Sequence, residues 1–264
     1  MKLCRFISAE MHAPHYGIVE GESIRPLIDA DAFGSRPRAR SGDKIPMDSV
    51  RLVAPVTPSK IVCVGRNYVE HAAELGNAMP TEPLLFLKAP SAIIASGEDI
   101  KLPPESAQVE YEGELGLVVG RRAYRLGPND DPLSFLLGYC CLNDVTARDL
   151  QRKDGQFTRA KSFDTFCPVG PFIVTDIDPE NALVTTRVNG AVRQSARTSA
   201  MAFPVPFIVK YISQVMTLNP GDLIATGTPA GVGKLSEGDL VEVEVEGIGV
   251  LMNNVKTGSA AASV

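Results

Sequence analysis

The sequence predicts a mixed β fold with short helices: a strand-dominated main domain over residues 54–264, preceded by a small α+β or β domain over residues 1–53. Three observations carry that expectation. Short apolar runs closed by Gly, Pro, Asn or Asp recur along the chain, as strands and their turns require. Helical character is confined to a few stretches. A polar, proline-bearing passage, "ARSGDKIPMDSVRL" followed by "APVTPSK" (Ala54–Lys60), separates the N-terminal part from the rest.

Each element has a local reason. "HYGIVEGESIRPL" reads as strand, Glu-Gly turn, strand, and Ile61–Gly65, "IVCVG", is a short apolar run suited to a buried strand. "RNYVEHAAELG" is rich in Ala, Glu and Leu and predicts a helix, with Asn67 as its N-cap and Gly76 as its stop. "LLFLKA" and "SAIIASGEDIKLPP" follow as strands and a hairpin. "VEYEGELGLVV" (Val109–Val119) predicts one continuous strand, and "LSFLLGYCCLNDV" a nearly unbroken apolar one ending at Asp144. Asn189-Gly190 in "ALVTTRVNGAVRQ" marks a two-residue hairpin turn. "PFIVKYISQVMTLNPG" spaces Phe207, Ile208, Tyr211, Ile212, Val215 and Met216 for one helical face, stopped by Asn219-Pro220-Gly221. "GDLIATG" and "GDLVEVEVEGIGVLMNNV" return to strand, and no solenoid period is present.

Composition narrows the function. With 264 residues, 44% hydrophobic and 22% charged, the chain has the make-up of a soluble globular protein. It has no apolar run of about 18 residues, which argues against a membrane span. The opening "MKLCRFISAEMHAPHYG" lacks the apolar core of a signal peptide. Five cysteines, odd in number and without a CxxC, suit reduced thiols in the cytoplasm. A net charge of −5, with no basic cluster longer than "RPRAR" (Arg36–Arg40), argues against nucleic acid as a partner. Only three histidines are present, so a metal site must lean on carboxylates and prefer a hard cation.

Common catalytic signatures fail. In "TGTPAGVGK", Gly227 and Gly233 stand one residue too far apart for a phosphate-binding loop, and Leu235 occupies the Ser/Thr position. No GxSxG is present, and the thiols have only His71 as a credible base. Two rows of alternating glutamates remain: Glu110, Glu112 and Glu114, and Glu242, Glu244 and Glu246. Alternation puts three carboxylates on one strand face in each, which describes a solvated edge as well as a site. The apolar "LGLVV" after Glu114 places Glu112 and Glu114 at the mouth of a buried strand, and Asp144 ends another. Three converging carboxylates would repel and take up protons unless a divalent cation joined them, and this oxygen-rich set suits Mg²⁺ or Mn²⁺.

Six blocks in order, "VCVGRNYVEHAAELG", "PLLFLKAPSAI", "VEYEGELGLVVG", "LNDVTARDLQ", "AKSFDTFCPVGP" and "GDLIATGTPAGVG", resemble the fumarylacetoacetate hydrolase family over residues 61–253. The resemblance implies a mixed β-roll behind a small N-terminal domain, usually dimeric. It implies metal ligation by Glu112, Glu114 and Asp144 and gives the second glutamate row no ligand position. It implies a His71–Glu74 dyad on a lid segment; residues three apart share a helix face, and a carboxylate can hold an imidazole ready to accept a proton from water. Lys161 is implied as the group meeting a substrate carboxylate or enolate oxygen. Arg66, Asn67, Gln151 and Thr228 are implied as substrate contacts, with Asn67 or Arg66 alternatively capping the helix, and Arg148 as a brace on a site carboxylate.

The activity so implied is metal-dependent hydrolysis of a C–C bond in acylpyruvates such as fumarylpyruvate, with one Mg²⁺ or Mn²⁺ per subunit of a cytoplasmic homodimer. Family alternatives are an oxaloacetate decarboxylase or tautomerase and a 2-hydroxyhepta-2,4-diene-1,7-dioate isomerase of aromatic catabolism. A non-catalytic binding protein on the same fold is the alternative of another class.

Overall fold

The computed structural model describes residues 1–258 except 11, 12, 29–32, 34–36, 41 and 43. His12, Arg36 and two positions of the expected linker, 41 and 43, thus lie outside the described residues. The described residues form a twelve-stranded sheet, a three-stranded sheet and a five-stranded sheet, with four short α-helices at Val69–Glu74, Arg148–Asp154, Thr158–Lys161 and Val205–Val215. This is the mixed β architecture with short helices that the sequence predicts.

The central strands of the large sheet run in the order Lys2–Ile7, Cys167–Val174, Leu136–Asn143, Gly113–Val119, Leu223–Ala225, Ile61–Gly65 and Leu84–Lys88. The N-terminal hairpins extend this same sheet: Lys2–Ile7 pairs with Cys167–Val174 at Lys2↔Val174 and Leu3↔Ile173, with His15–Glu20, Ser23–Pro26 and Ile45–Pro46 beyond it. Part of the expected linker is therefore structured, as the strand Ile45–Pro46, a 3₁₀ turn at Met47–Ser49 and the strand Arg51–Val53, which pairs back onto Lys2–Ile7.

The central strands are apolar on both faces because both faces are covered. Ile61, Cys63, Val118, Cys140 and Leu142 pack into one core, and Val62, Val64, Leu115, Leu117 and Val119 into the other. The second core is closed by the five-stranded sheet, through Val184, Val243, Val245 and Leu251, and by Ile208, Val209 and Ile212 of the last helix. Burial of this kind is worth about 1.5–3 kcal/mol for each large aliphatic side chain, so these runs specify the interior.

The hairpin expected in "SAIIASGEDIKLPP" does not form: Ile93–Ile94 pairs in parallel with Cys167–Val174 and Ile100–Leu102 with Gly249–Thr257, in a different sheet. Other local expectations hold with three revisions. The later hairpin turns at Asn189-Gly190, both with positive φ (52° and 76°), the backbone that a two-residue turn needs. The first revision is the helix at Val69–Glu74: it is shorter than its alanine-rich stretch and is entered through Tyr68, so Asn67 does not cap it. The second concerns Val205–Val215, whose buried stripe is Val205, Ile208, Val209 and Ile212. Phe207 and Val215, expected on the inner face, are 47% and 58% exposed, and Phe207 stacks between Phe203 and Tyr211. The third is the strand at Val109–Val119. It breaks at Glu112: Val109–Tyr111 belongs to the three-stranded sheet and Gly113–Val119 to the large one. The chain changes sheets at the residue that the sequence marks as a ligand.

Candidate active site

The break at Glu112 is held from two sides. The Glu112 backbone N–H donates to Asn143 Oδ1 (2.9 Å), and the Asp144 N–H donates to the Glu112 carbonyl (2.8 Å). Because Gly113–Val119 and Leu136–Asn143 are antiparallel neighbours, paired at Gly113↔Asn143, the start of one strand lies beside the end of the other. That register brings Asp144 to the glutamates. Gly113 is required by close approach: a Cβ there would lie 1.9 Å from Thr186 Oγ1.

Glu112, Glu114 and Asp144 are all buried, and each offers a carboxylate oxygen within 4.8 Å of the others. Three cations surround them. Lys161 Nζ donates to Glu112 Oε2 (2.8 Å) and Asp144 Oδ2 (2.6 Å). Lys88 Nζ donates to Asp144 Oδ1 (2.6 Å) and the Val145 carbonyl (3.1 Å). Arg148 pairs with the other oxygen of Glu112 and, through Nε, with Glu110 Oε2 (2.8 Å). Glu114 Oε2 accepts from the backbone N–H of Gly227 (2.7 Å), in the loop that carries Thr228. With all four carboxyls ionised, Glu110, Glu112, Glu114 and Asp144 against Lys88, Arg148 and Lys161 leave one negative charge in excess. Three buried hard oxygens in an anionic setting, with no Cys or His among them, fit a divalent cation such as Mg²⁺ or Mn²⁺.

The two glutamates titrate in opposite directions. Burial pushes both upward, but beside Lys161 and Arg148 the Glu112 carboxyl is held well below the usual carboxylate range. Glu114 is pushed well above it, by burial first and then by the charges of Asp144 and Glu112. Burial works against the charge on Lys161, yet Asp144 and Glu112 hold its ammonium above the ordinary lysine value.

The carboxylates line a cavity of about 460 Å³, walled also by Arg66, His71, Phe86, Arg148, Gln151, Arg152, Phe157, Lys161 and Thr228. His71 is 4% exposed, and its Nδ1 lies 3.4 Å from Glu74 Oε2 on the same short helix. Glu74 also accepts from the Gly231 N–H (3.0 and 3.2 Å), which ties the dyad helix to the loop after Thr228. Gln151 Oε1 accepts from Arg148 (2.6 Å), which leaves its amide N–H groups as donors. The Thr228 hydroxyl donates to the Gly113 carbonyl (2.9 Å) and accepts from Gln194 (2.8 Å). Arg66 ends the strand Ile61–Gly65 in a left-handed conformation, φ 56°.

Asn67 does not line this cavity. It is fully buried, and its amide bonds the Phe203 carbonyl (3.1 Å), the Thr226 carbonyl (2.8 Å) and the Phe203 N–H (2.8 Å). These bonds use the side chain to fix the loop under the site, in place of the substrate contact or helix cap expected of it. Lys88 and the role of Glu110 were not foreseen. The one sequence signal for Lys88 was a charge closing the apolar run "LLFLK", where the strand reaches the site.

Comparison with known proteins gives matches along nearly the whole chain. Residues 60–256 match the family model described as fumarylacetoacetate (FAA) hydrolase C-terminal, and residues 1–55 match one described as Rv2993c-like, N-terminal. Protein Rv2993c of Mycobacterium tuberculosis is 51% identical over 218 residues, covering 81% of this chain and 82% of that protein. The bovine mitochondrial oxaloacetate tautomerase FAHD2A is 38% identical over 289 residues, covering 97% and 91%. The crystal structure of 2-hydroxyhepta-2,4-diene-1,7-dioate isomerase from Mycobacterium marinum superposes with a TM-score of 0.89 at 44% identity, covering 98% of this chain and 100% of that one.

Proposed function

The chain belongs to the fumarylacetoacetate hydrolase family, and from that premise we propose that it is a divalent-metal-dependent enzyme that hydrolyses a C–C bond in acylpyruvate-type 2,4-dioxo acids, fumarylpyruvate among them. One observation carries the hydrolytic reading: His71, backed by Glu74, faces the cavity in which Glu112, Glu114 and Asp144 converge. Those three carboxylates would hold one Mg²⁺ or Mn²⁺ per subunit, which would act as a Lewis acid on the carboxylate and carbonyl oxygens of a 2-oxo acid. The protein is read as a cytoplasmic homodimer; five buried free thiols agree with a reducing compartment.

The chain's own groups do the rest. An ionised Glu74 can only accept, so the ring proton sits on Nδ1 and His71 keeps a lone pair on Nε2. His71 takes a proton from water as its oxygen adds to the distal carbonyl. The neighbouring C–C bond then breaks, its electron pair passing to the 2-oxo acid half as an enolate, and His71 returns the proton to that carbon. Lys161, held protonated, supplies positive charge where the enolate oxygen develops. Gln151 and Arg66 orient the substrate from the cavity walls, with Thr228 in the loop at its side.

A second reading, keto–enol tautomerisation or double-bond isomerisation of a related 2-oxo acid, is favoured by the activities named for the bovine and mycobacterial relatives. It needs the same carboxylates and Lys161 but no activated water. Turnover of a panel of acylpyruvates, oxaloacetate and hydroxydienedioates by Mg²⁺- or Mn²⁺-loaded protein separates the readings. Hydrolysis of an acylpyruvate, reduced by about 10²–10⁴-fold in His71→Ala, supports the first. Tautomerisation or isomerisation without hydrolysis, surviving in His71→Ala, gives the second. Turnover of nothing in the panel would leave a non-catalytic binding protein on this fold.

A further inference from the structure

On the edge strand Ala191–Arg197 polarity and burial are inverted. Val192 is 58% exposed, whereas Gln194 is 1% exposed and is the one buried residue of the strand. A bulge causes this. Gln194 pairs with Thr186 and Val192 with Arg187, so Arg193 is the extra residue. Thr186 and Arg187 are neighbours and face opposite sides, and their partners Gln194 and Val192 therefore do the same. The inward amide is fully used. Its Oε1 accepts from the Gly113 N–H (3.0 Å), and its Nε2 donates to Thr228 Oγ1 (2.8 Å) and to the Pro229 carbonyl (2.7 Å). Thr228 Oγ1 donates in turn to the Gly113 carbonyl (2.9 Å), which closes a ring of hydrogen bonds between Glu112 and Glu114. The bulge also abuts the loop further on: a Cβ on Gly231, φ 101°, would lie 2.0 Å from the Arg193 carbonyl oxygen. Tyr111 holds the same residue from another side, its hydroxyl donating to the Gly231 carbonyl (2.9 Å).

We propose that Gln194, aimed inward by this bulge, is a positioning residue for the His71–Glu74 dyad and acts through the loop 228–231. Gln194 does not itself wall the cavity, but its route to the chemistry is short. The Gly231 N–H meets both oxygens of Glu74 (3.0 and 3.2 Å), and Glu74 Oε2 faces His71 Nδ1 (3.4 Å). Glu74 stands at the exposed end of a helix of six residues, so neither burial nor helix length fixes its carboxylate. The loop N–H does. A carboxylate released from that N–H turns into water, and the imidazole it oriented divides between its two neutral tautomers. Because the same amide bonds Gly113, one side chain sets the dyad relative to the strand that carries Glu112 and Glu114.

The inference rests on the hydrolytic reading above, and its test keeps the two apart. Gln194→Met preserves the length of the side chain and removes its three hydrogen bonds. Tyr111→Phe removes only the hold on Gly231 and carries the same measurements should Gln194→Met fail to fold. The first measurement is the ¹⁵N spectrum of histidine-labelled protein at a pH where the ring is neutral, with the His71 signals identified by their loss in His71→Ala. The ring proton should sit on Nδ1 in the parent and be shared between Nδ1 and Nε2 in Gln194→Met. The second is acylpyruvate hydrolysis by Mn²⁺-loaded protein, where Gln194→Met should lower kcat by about 10–10²-fold, as a slight misplacement of the base gives, with less effect on KM. In a Glu74→Gln background no carboxylate is left to position, and the same substitution should change kcat by less than about twofold. An unchanged His71 tautomer in folded Gln194→Met, or an equal loss of kcat in the two backgrounds as general loosening would give, would overturn the positioning role. A tautomer that shifts as expected in a protein that hydrolyses no acylpyruvate would sink the hydrolytic reading and leave the positioning role standing.

Discussion

The two glutamate rows share an alternation and nothing else. Glu110, Glu112 and Glu114 are 6%, 4% and 2% exposed. Glu242 and Glu244 of the second row lie on Leu240–Val245, where each valine is buried and each glutamate faces outward, and Glu246 is exposed in the turn that follows. Glu244 and Glu246 pair there with Arg187 (2.7 Å) and Arg197 (3.1 Å) at the surface, across a strand paired on both sides. Alternation thus reports which side chains share a face and is silent on what covers that face. What makes the first row a site is its change of sheet at Glu112 and the cations delivered to it from residues 88, 148 and 161.

The sharpest test of that contrast removes one carboxylate. Glu114→Gln should abolish measurable Mg²⁺ or Mn²⁺ binding by calorimetry and lower kcat/KM by on the order of 10²–10³ or more, with thermal stability retained in the metal-free protein, because among the described residues Glu114 has no cationic side-chain partner to leave unpaired. Asp144→Asn should abolish binding as well but also destabilise the metal-free protein, since it takes a charge from beside both Lys88 and Lys161; equal stability of the two apo variants would contradict the electrostatic picture.

Next comes the counter-ion. Lys88 is buried and its ammonium sits on Asp144, so Lys88→Met leaves a buried charge short of its partner and should cost about 3–5 kcal/mol in urea unfolding of the metal-free protein. Arg187→Ala, in the second row, should cost about 0–1 kcal/mol. Similar losses for the two would mean that the inner network is no more desolvated than the outer. Gly113→Ala tests the steric side. Its Cβ would meet Thr186, and overpacking of this kind costs about 1–3 kcal/mol; because the strain falls between Glu112 and Glu114, metal affinity should fall with stability.

The first row should also show in pH dependence. In metal-free protein Glu114 has its carboxyl pKa raised above the unfolded value, so its contribution to stability is present at low pH and is lost as pH rises from the ordinary carboxylate range through that raised value. A divalent cation displaces the proton. The rise in Tm on adding Mg²⁺ should therefore grow with pH, and calorimetry in buffers of different ionisation heat should show proton release. A Tm gain that does not change with pH, with no proton release on binding, would place the raised carboxyl elsewhere.

The three candidate ligands were legible through the family resemblance and not through alternation, which both rows share and which did not foretell the strand break at Glu112. The strands were legible in the sequence itself, since runs such as "IVCVG" and "LGLVV" state their own burial. The network behind the ligands was less legible. Lys88 reaches Asp144 across 56 positions, and Arg148 reaches Glu110 across 38, distances over which no periodicity speaks. Asn67 was misread because an asparagine before a helix has the same local signature whether it caps the helix or ties down a loop 136 and 159 residues away. The helix at Val205–Val215 was turned by its aromatics. Phe207 and Tyr211 fit a hydrophobic stripe, yet they stack outside while smaller aliphatics fill the core.

The smallest expected effect falls on the second row itself. Replacing Glu242, Glu244 and Glu246 by glutamine removes three charges from an outward face and two surface ion pairs, each worth about 0–1 kcal/mol. The valines that bury this strand are untouched, so unfolding by urea should shift within about 1 kcal/mol in total, metal affinity not at all, and kcat/KM within experimental scatter. The five-stranded sheet does, however, reach the site from behind: Gln194, on the strand Ala191–Arg197, donates to Thr228 and accepts from the Gly113 N–H. If the triple variant lowered metal affinity while leaving stability intact, the outer row would be coupled to the inner through that hairpin, and the division between a solvated face and a site would have to be redrawn at Gln194.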